Sequence, residues 1–253
     1  MPEKFSTIKP EQAKGEIQLE KVAELEVPMR KILEQMLESL EKGEYDLIIG
    51  IDASGRIPTL IVDKFVSRVY QNKGYELPIF RFIAGSIRKE DAVSKVKEWN
   101  PHRRVLIVED TINTGDSVRS LSKALGESGI SFDVIAVGTL LPRRIFDKKR
   151  IERLTKDLGA KNIYVGSEEA PRIYGQKHIS GVQKEVGDIF SRPHKRVRAE
   201  QQIKTLGKEL VDELGHSISS VIQEEVNQAR ADANIVADRL VDWYESQKQE
   251  NEK

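Results

Sequence analysis

The sequence contains no cysteine. Without thiols the chain forms no disulfide, thiolate zinc site or iron–sulfur ligand set, and it has no cysteine nucleophile. The absence fits a reducing compartment. No apolar stretch approaches the ~20 residues that a helix needs to span a bilayer, and the charged N-terminal stretch lacks the apolar centre of a signal peptide. We therefore expect a soluble, cytoplasmic protein.

The sequence also has no excess of either charge. Lysine plus arginine total 41 and aspartate plus glutamate total 41, so the formal net charge is zero. A neutral balance gives no bulk attraction to nucleic acid or to an anionic membrane, and neither is expected as a partner. Hydrophobic residues make up 38% of the 253 residues. That content predicts a lean core in one large domain, or in one ordinary domain with additions at its ends.

Short apolar runs alternate with helical stripes through the middle of the chain. Runs that are apolar throughout and bounded by turn residues are typical of strands buried on both faces. Alternation of such strands with helices predicts an α/β fold, a parallel sheet of about five strands flanked by helices. The predicted strands are residues 46–51, 79–83, 104–109, 134–141 and 162–165, and the predicted helices are residues 28–43, 57–72, 117–127 and 147–158.

The two ends of the chain differ from the middle. We divide the chain into an N-terminal arm and helix (1–43), an α/β domain (44–192) and a C-terminal helical extension (193–253). The first ~25 residues are polar without periodicity and predict an arm that is extended or partly disordered. The C-terminal stripes, with Trp243 and Tyr244 as anchors, predict packing on the core, on each other or on another subunit. We expect a homo-oligomer formed through these helices.

The most informative segment is residues 105–117. A buried strand ends in two adjacent carboxylates, Glu109 and Asp110, and a short turn with hydroxyl residues and a glycine then opens a helix. Ligands bind at the carboxyl ends of strands in open α/β sheets. A helix N-terminus favours phosphate, and carboxylates accept hydrogen bonds from sugar hydroxyls. The segment therefore predicts a site for a ribose 5-phosphate.

This segment resembles the phosphoribosyl-pyrophosphate signature of the type I phosphoribosyltransferases. The hydrophobic run, the acidic pair and the Thr-Gly-x-Ser ending all match, and the Glu-Asp order is nearest to the hypoxanthine-guanine branch. In the order of strands the resemblance covers roughly residues 46–165. It implies that Glu109 and Asp110 contact the ribose hydroxyls. It also implies that the 5-phosphate is wrapped by Thr111, Ile112, Asn113, Thr114, Gly115, Asp116 and Ser117.

Two residues depart from the family pattern. Thr111 stands where the family usually has an aliphatic residue. Asn113 stands where the hypoxanthine-guanine enzymes carry an aspartate that accepts a proton from the purine, and an asparagine has no useful basicity. The motif therefore leaves the acceptor substrate open.

The resemblance implies three further contacts. The loop after the first strand would hold pyrophosphate through Ala53, Ser54, Gly55 and Arg56, since arginine suits bidentate phosphate contacts. Residues 85–99 occupy the position of a closing loop, which makes Arg88 and Lys89 further pyrophosphate candidates, although a surface helix is an equal alternative. A hood beyond the core sheet would contact the acceptor through Tyr164 and Val165, with residues 168–181 as further candidates.

The loop after the first strand departs from a Walker A sequence, because Arg56 and Ile57 stand in place of its lysine and its hydroxyl residue. Both replacements argue against hydrolysis of a nucleoside triphosphate.

The resemblance to the phosphoribosyltransferases implies a glycosyltransferase that binds 5-phosphoribosyl-1-pyrophosphate with Mg²⁺ and transfers the phosphoribosyl group to or from a nitrogen nucleophile such as a nucleobase. The sequence shows no acidic ligand set for a protein-held metal, so Mg²⁺ is expected to arrive with the substrate. The alternative is a non-catalytic protein that senses this ligand and acts in regulation or assembly through its C-terminal helices.

Overall fold

The computed structural model describes residues 15–51, 55–85, 87–139, 148–168 and 218–251, with side chains in the last helix described for residues 227–250. Five strands form one sheet. They are β1 (Tyr45–Ile51), β2 (Ile79–Ile83), β3 (Arg104–Thr111), β4 (Phe132–Gly138) and β5 (Asn162–Val165). All neighbours pair in parallel, in the order β2-β1-β3-β4-β5. The predicted α/β fold with a five-stranded parallel sheet is confirmed.

Seven helices accompany the sheet in the described part of the chain. They are α1 (Glu20–Ala23), α2 (Glu26–Glu41), α3 (Arg56–Lys73), α4 (Lys89–Trp99), α5 (Asp116–Glu127), α6 (Lys148–Leu158) and α7 (Ile218–Asn251). Helix α4 resolves the alternative left open for residues 85–99 in favour of a helix. It buries only two small residues, Ala92 and Val96, so its apolar stripe in the sequence is weak.

The helices cover both faces of the sheet. One core lies against α2, α3 and α7 and includes Ile48 and Val108, and the other lies against α4, α5 and α6 and includes Ile49 and Ile107. Neighbouring residues of one strand thus face opposite cores, as the two-residue period of a strand requires. Apolar runs without alternation are what such a doubly covered strand needs.

The chain reverses direction across the sheet between β1 and β3. The connection from β1 to β2 passes through α3 on one face, and the return from β2 to β3 passes through α4 on the other. Where the strand order reverses in this way, the loops leave in opposite directions and a crevice opens at the carboxyl ends of the strands. By this rule a ligand crevice is expected at the carboxyl ends of β1 and β3.

Residues 17–25 are packed against the core, which corrects the prediction of an extended or partly disordered arm for this part of the chain. Val22 and Leu25 are fully buried, and Ile17 and Leu19 pack against the same core. The fully buried carboxylate of Asp232 in α7 accepts the backbone N–H groups of Gln18, at 3.2 Å, and Leu19, at 2.7 Å. A helix of four residues is too short to show periodicity, and its burial comes from a helix more than 200 residues away.

Helix α7 lies along α3 and runs in the same direction. Lys64 pairs with Asp238 at 2.8 Å, and Asn72 donates to Glu245 at 3.1 Å, so both helices advance together. The buried stripe of α7 is Ala229, Ala233, Val236, Ala237, Leu240, Val241 and Tyr244. This stripe packs within the chain, which is one of the three arrangements the sequence left open, and a homo-oligomer stays a prediction. Within the described ranges no helix is long and apolar enough to cross a membrane.

A polar network lies at the amino ends of the strands, opposite the crevice. The fully buried Asp133 carboxylate accepts the Tyr45 hydroxyl at 2.6 Å, Arg104 Nη1 at 3.0 Å and Asn162 Nδ2 at 3.0 Å. Arg104 also pairs with Glu44 at 2.9 Å. The network joins β1, β3, β4 and β5 at their amino ends, because each of these strands contributes one of its members.

The carboxyl group of Asp63 in α3 predicts a pH dependence of stability. Burial raises its pKa from 3.8 to about 6. The folded chain therefore holds this proton more tightly than the unfolded chain, and stability falls as pH rises from about 4 to about 6. Partial exposure screens the charge, so we expect a loss of about 1–2 kcal/mol over this window. Urea unfolding at both ends of the window should show this loss in the wild type and not in Asp63→Asn, and equal losses in both proteins would contradict it.

Candidate functional site

The acidic pair lies among the last three residues of strand β3. Glu109 is 2% exposed and Asp110 is 1% exposed. The prediction ended this strand at Glu109, whereas pairing continues to Thr111, which lies opposite Gly138 of β4. The N–H of Ile112 then donates to the Gly138 carbonyl at 3.0 Å. The carboxylates are therefore held by the sheet itself at the edge of the crevice.

Strand alternation sends the two carboxylates to opposite faces of the sheet. Val108 belongs to the core under α3, so Glu109 faces the side of α5 and Asp110 faces the side of α3. The Asp110 carboxylate also accepts the N–H of Thr111 at 2.8 Å, which fixes its orientation. Acceptors thus stand on both sides of the strand end.

The turn into α5 depends on Gly115. Its φ of 75° lies in the left-handed region, and it is the residue that precedes the helix. A Cβ at this position would stand 3.1 Å from the side-chain tips of both Leu154 and Leu158 of α6. Glycine therefore meets two constraints, a left-handed backbone and a close approach of α6, and it directs the first amides of α5 toward the crevice.

A hydrogen-bonded cluster covers the start of α5. The Thr114 hydroxyl donates to Asp116 at 2.7 Å, and Arg119 contacts Asp116 at 3.3 Å and the Thr114 carbonyl at 3.0 Å. The Thr114 hydrogen bond, followed by that of Arg119, lowers the pKa of Asp116. Asp116 is exposed, and its negative charge would repel a phosphate. An anion at the start of α5 would therefore be held mainly by backbone amides. It would gain Thr114 and Arg119 as further donors only if these side chains left Asp116.

Two other residues of the predicted phosphate loop hold the turn in place. Ile112 is 1% exposed and belongs to the core, and its N–H is committed to Gly138, so it supports the turn from inside. Asn113 accepts the hydroxyl of Thr139 at 3.0 Å through its side chain and Arg150 at 3.4 Å through its carbonyl. The sequence reasoning missed Thr139, which is buried directly after β4, and a hydroxyl residue that follows a strand end is the signal that could have found it.

The start of α3 lies beside this turn, at the end of the neighbouring strand β1. Gly55 is buried, and a Cβ there would lie inside contact distance of the Ile51 carbonyl oxygen, so only glycine fits this turn without displacement. The Thr59 hydroxyl donates to the Gly55 carbonyl at 2.5 Å. Arg56 is exposed, with its guanidinium 5.4 Å from the ring centre of Phe82. Ala53 and Ser54 lie outside the described residues.

Arg88 and Lys89 stand at the start of α4 and point their charges at acids of the chain. Arg88 contacts both oxygens of Asp91, at 2.9 and 3.2 Å. Lys89 pairs with Glu127 of α5. The donors of both residues therefore meet carboxylates, which a phosphate would have to displace.

The two predicted acceptor contacts lie away from the acidic pair. Val165 is level with Ala136, which is level with Glu109, so two strand spacings of ~4.8 Å separate it from the pair. Burial, followed by the nearby Asp133 charge, raises the pKa of Tyr164 to about 12. Asp133 belongs to the network at the amino ends of the strands, so the Tyr164 hydroxyl is close enough to feel the charge of that network. The acidic pair lies at the opposite ends of the strands. Of residues 168–181, all but Glu168 lie outside the described residues.

The described residues contain no group of three acidic, histidine or cysteine side chains that could hold a metal ion. No protein-family model matches the chain, and no curated protein matches it. Among solved structures, a de novo designed Rossmann 2x3 fold protein aligns with 68% of this chain and 98% of its own, at 12% identity and a TM-score of 0.28.

Proposed function

We propose that this chain binds 5-phosphoribosyl-1-pyrophosphate with Mg²⁺ and transfers the phosphoribosyl group to or from a nitrogen nucleophile such as a nucleobase. The observation that supports this best is the placement of Glu109 and Asp110. Both are buried at the end of β3, beside the point where the strand order reverses, and the same strand leads directly into a glycine-initiated helix. Acids for a sugar and amides for a phosphate thus follow each other on one segment.

Each part of the ligand would meet a different element. Asp110 and Glu109 would accept hydrogen bonds from the ribose hydroxyls, and the amides after Gly115 would hold the 5-phosphate. Arg56, at the end of the neighbouring strand, would contact the pyrophosphate. Mg²⁺ would arrive with the ligand and would offset negative charge on its pyrophosphate oxygens, and the carboxylates of the acidic pair are oxygen donors of the kind that it accepts. The bond from C1 to pyrophosphate would break, and the nitrogen nucleophile would form the new bond at C1.

Catalysis would then come from positioning and charge stabilisation. The buried carboxylates would hold the ribose while positive charge develops at C1. Arg56 would stabilise the negative charge that collects on the departing pyrophosphate. The proposed activity places the protein in the cytoplasm, in keeping with its cysteine-free sequence.

A second candidate is a protein that binds the same ligand without transferring the sugar, and acts in regulation or assembly. Asn113 favours it, because its side chain is an amide that cannot accept a proton from a base and is already engaged by Thr139 at 3.0 Å. Release of pyrophosphate from the ligand and Mg²⁺ in the presence of a panel of nucleobases separates the two candidates. Base-dependent release identifies a transferase, and binding without release identifies the second candidate.

Asp110→Asn tests the binding function common to both candidates. Asparagine keeps the size of the side chain and an acceptor for the Thr111 N–H, but it removes the charge that would hold a ribose hydroxyl. A hydrogen bond to a charged group contributes about 1.5–3 kcal/mol, so we expect affinity for the ligand with Mg²⁺ to fall about 10- to 150-fold in isothermal titration.

The matched control is Asp157→Asn, which makes the same change at an exposed position of α6. Its affinity should equal that of the wild type. Absence of binding by folded wild-type protein, or equal affinities of wild type and Asp110→Asn, would overturn the proposed function.

A homo-oligomer belongs to the same proposal. The α7 stripe from Ala229 to Tyr244 is already covered by the chain itself, so a second subunit would have to use another surface. Light scattering coupled to size-exclusion chromatography measures the mass directly, and a mass of 28.7 kDa would identify a monomer.

A further inference from the structure

Arg56 lies over an aromatic ring near the carboxyl end of β1. Its guanidinium carbon lies 5.4 Å from the ring centre of Phe82, a β2 residue that is 37% exposed. A cation–π contact of this kind uses the face of the planar guanidinium and none of its N–H donors. Those donors form the fork that binds two phosphate oxygens at once.

The surroundings of Arg56 differ from those of the other stacked cations. Three more cations lie over aromatic rings in the described part of the chain, and each also pairs with an acid. These pairs are Arg104 with Asp133, Arg30 with Glu26 and Lys248 with Glu41. Arg56, in contrast, forms no ion pair with any described residue. Its charge is therefore available to an anion from solution.

The ring under Arg56 is itself held in a defined place. Phe82 lies opposite Gly50 in the sheet, and a Cβ on Gly50 would stand 2.5 Å from the Phe82 ring and 2.5 Å from the Thr59 hydroxyl oxygen. The Phe82 ring therefore packs directly against the backbone of Gly50, where a side chain would displace it. Phe80 packs edge-on against Phe82, with ring centres 4.7 Å apart. An exposed aromatic ring that is fixed from below and from one side is a rigid platform.

The platform shares a sheet face with one of the two carboxylates. Gly50 pairs with Val108, and Asp110 lies two residues further along the same strand, so it points to the same face. The strands of Gly50 and Asp110 are neighbours, with a spacing of ~4.8 Å. A ligand whose sugar rests on Asp110 therefore extends toward the end of β1 and the Arg56 fork.

We propose that Phe82 is a positioning residue, which holds the Arg56 guanidinium with its rim turned toward a diphosphate group at the carboxyl end of β1. This inference deepens the proposed function and rests on it for the sugar part of the ligand. Phe82 itself contributes no hydrogen bond. It lowers the freedom that Arg56 loses on binding, because the guanidinium is already oriented before the anion arrives.

The test is isothermal titration with three probes in the presence of Mg²⁺: inorganic pyrophosphate, ribose 5-phosphate and 5-phosphoribosyl-1-pyrophosphate. The variants are Phe82→Leu, Phe82→Trp, Arg56→Ala and the double variant of Phe82→Leu with Arg56→Ala. Tyr75→Leu is the matched control, since Tyr75 is also 37% exposed. It lies beside Gly43, at the amino ends of the strands and away from Arg56. Circular dichroism verifies that each variant is folded.

We expect Phe82→Leu to weaken pyrophosphate binding about 3- to 10-fold, the range of a partly exposed cation–π contact, and to leave ribose 5-phosphate affinity unchanged. Phe82→Trp should bind pyrophosphate as tightly as the wild type does. The double variant should bind pyrophosphate no more weakly than Arg56→Ala alone. Equal weakening of both probes, or additive effects of the two substitutions, would overturn the positioning role.

The outcomes separate this inference from the proposed function. Binding of the sugar pyrophosphate with no effect of Phe82→Leu rejects the positioning role and supports the function. Binding of pyrophosphate alone, with the expected effect of Phe82→Leu, supports the platform and rejects the sugar site. Wild-type protein that binds none of the three probes rejects both.

Discussion

Asp133→Ala is expected to lower the free energy of unfolding by about 3–5 kcal/mol, because it removes one member of a buried ion pair and leaves the other inside the protein. The Asp133 carboxylate is fully buried and accepts Tyr45, Arg104 and Asn162 at 2.6 to 3.0 Å. Arg104 would keep Glu44 as a partner at 2.9 Å, but the hydroxyl of Tyr45 and the amide of Asn162 would lose a buried acceptor.

Urea unfolding followed by circular dichroism measures this loss. Tyr45→Phe removes one hydrogen bond of the same network and should destabilise by about 1 kcal/mol, so the two variants rank the ion pair above the hydroxyl. Asp157→Ala, at an exposed position of α6, is the control and should leave the unfolding curve unchanged. A change for Asp133→Ala no larger than that for Tyr45→Phe would show that the network contributes little.

The second large effect is expected for Asp232→Ala in α7. This buried carboxylate accepts the N–H groups of Gln18 and Leu19, just before α1, and it also accepts the side-chain amide of Gln228 at 2.7 Å. Asp232 thus anchors the backbone that leads into α1 to a distant helix. We expect a loss of about 2–3 kcal/mol, since all three hydrogen bonds to a charged group disappear together.

Hydrogen exchange locates this effect on the chain. Amides of residues 16–25 should exchange about 30- to 150-fold faster in Asp232→Ala, the factor that corresponds to the expected loss. Amides of β3 should respond less, because the sheet does not depend on this contact. Asp242→Ala, at an exposed position of the same helix, is the control. Unchanged protection of residues 16–25 would contradict a role of Asp232 in holding them.

The fold was predictable from sequence where residues interact with near neighbours. Strands β2 and β5 have the predicted bounds, and α3, α5 and α6 begin within one residue of the prediction. Strand β4 was placed two residues late, because Asp133 made its start look polar, and no local pattern shows that Arg104 and Tyr45 bury that carboxylate. The packed N-terminal stretch escaped prediction for the same reason, since its partner Asp232 lies far along the chain.

The candidate site divides in a similar way. The acidic pair and Gly115 could be found from sequence, because a strand, a turn and a helix follow each other there without interruption. The roles of Ile112, Thr139 and Phe82 could not, since each depends on contacts with another strand or helix. Chemistry that a single segment carries was visible in the sequence, whereas the support of that segment by its neighbours required the fold.

The pairing of α7 with the N-terminal stretch has a consequence for synthesis on the ribosome. Leu19 and its acceptor Asp232 are 213 positions apart, and the sheet is complete once β5 has emerged. Among the described residues, α7 alone covers the part of α3 where the Phe65 ring meets Tyr244 at 5.8 Å. The nascent chain thus carries an open apolar face through the late part of its synthesis, and chaperones recognise such faces. A chain that stalls on the ribosome before α7 would expose the apolar surface of α3 that α7 otherwise covers.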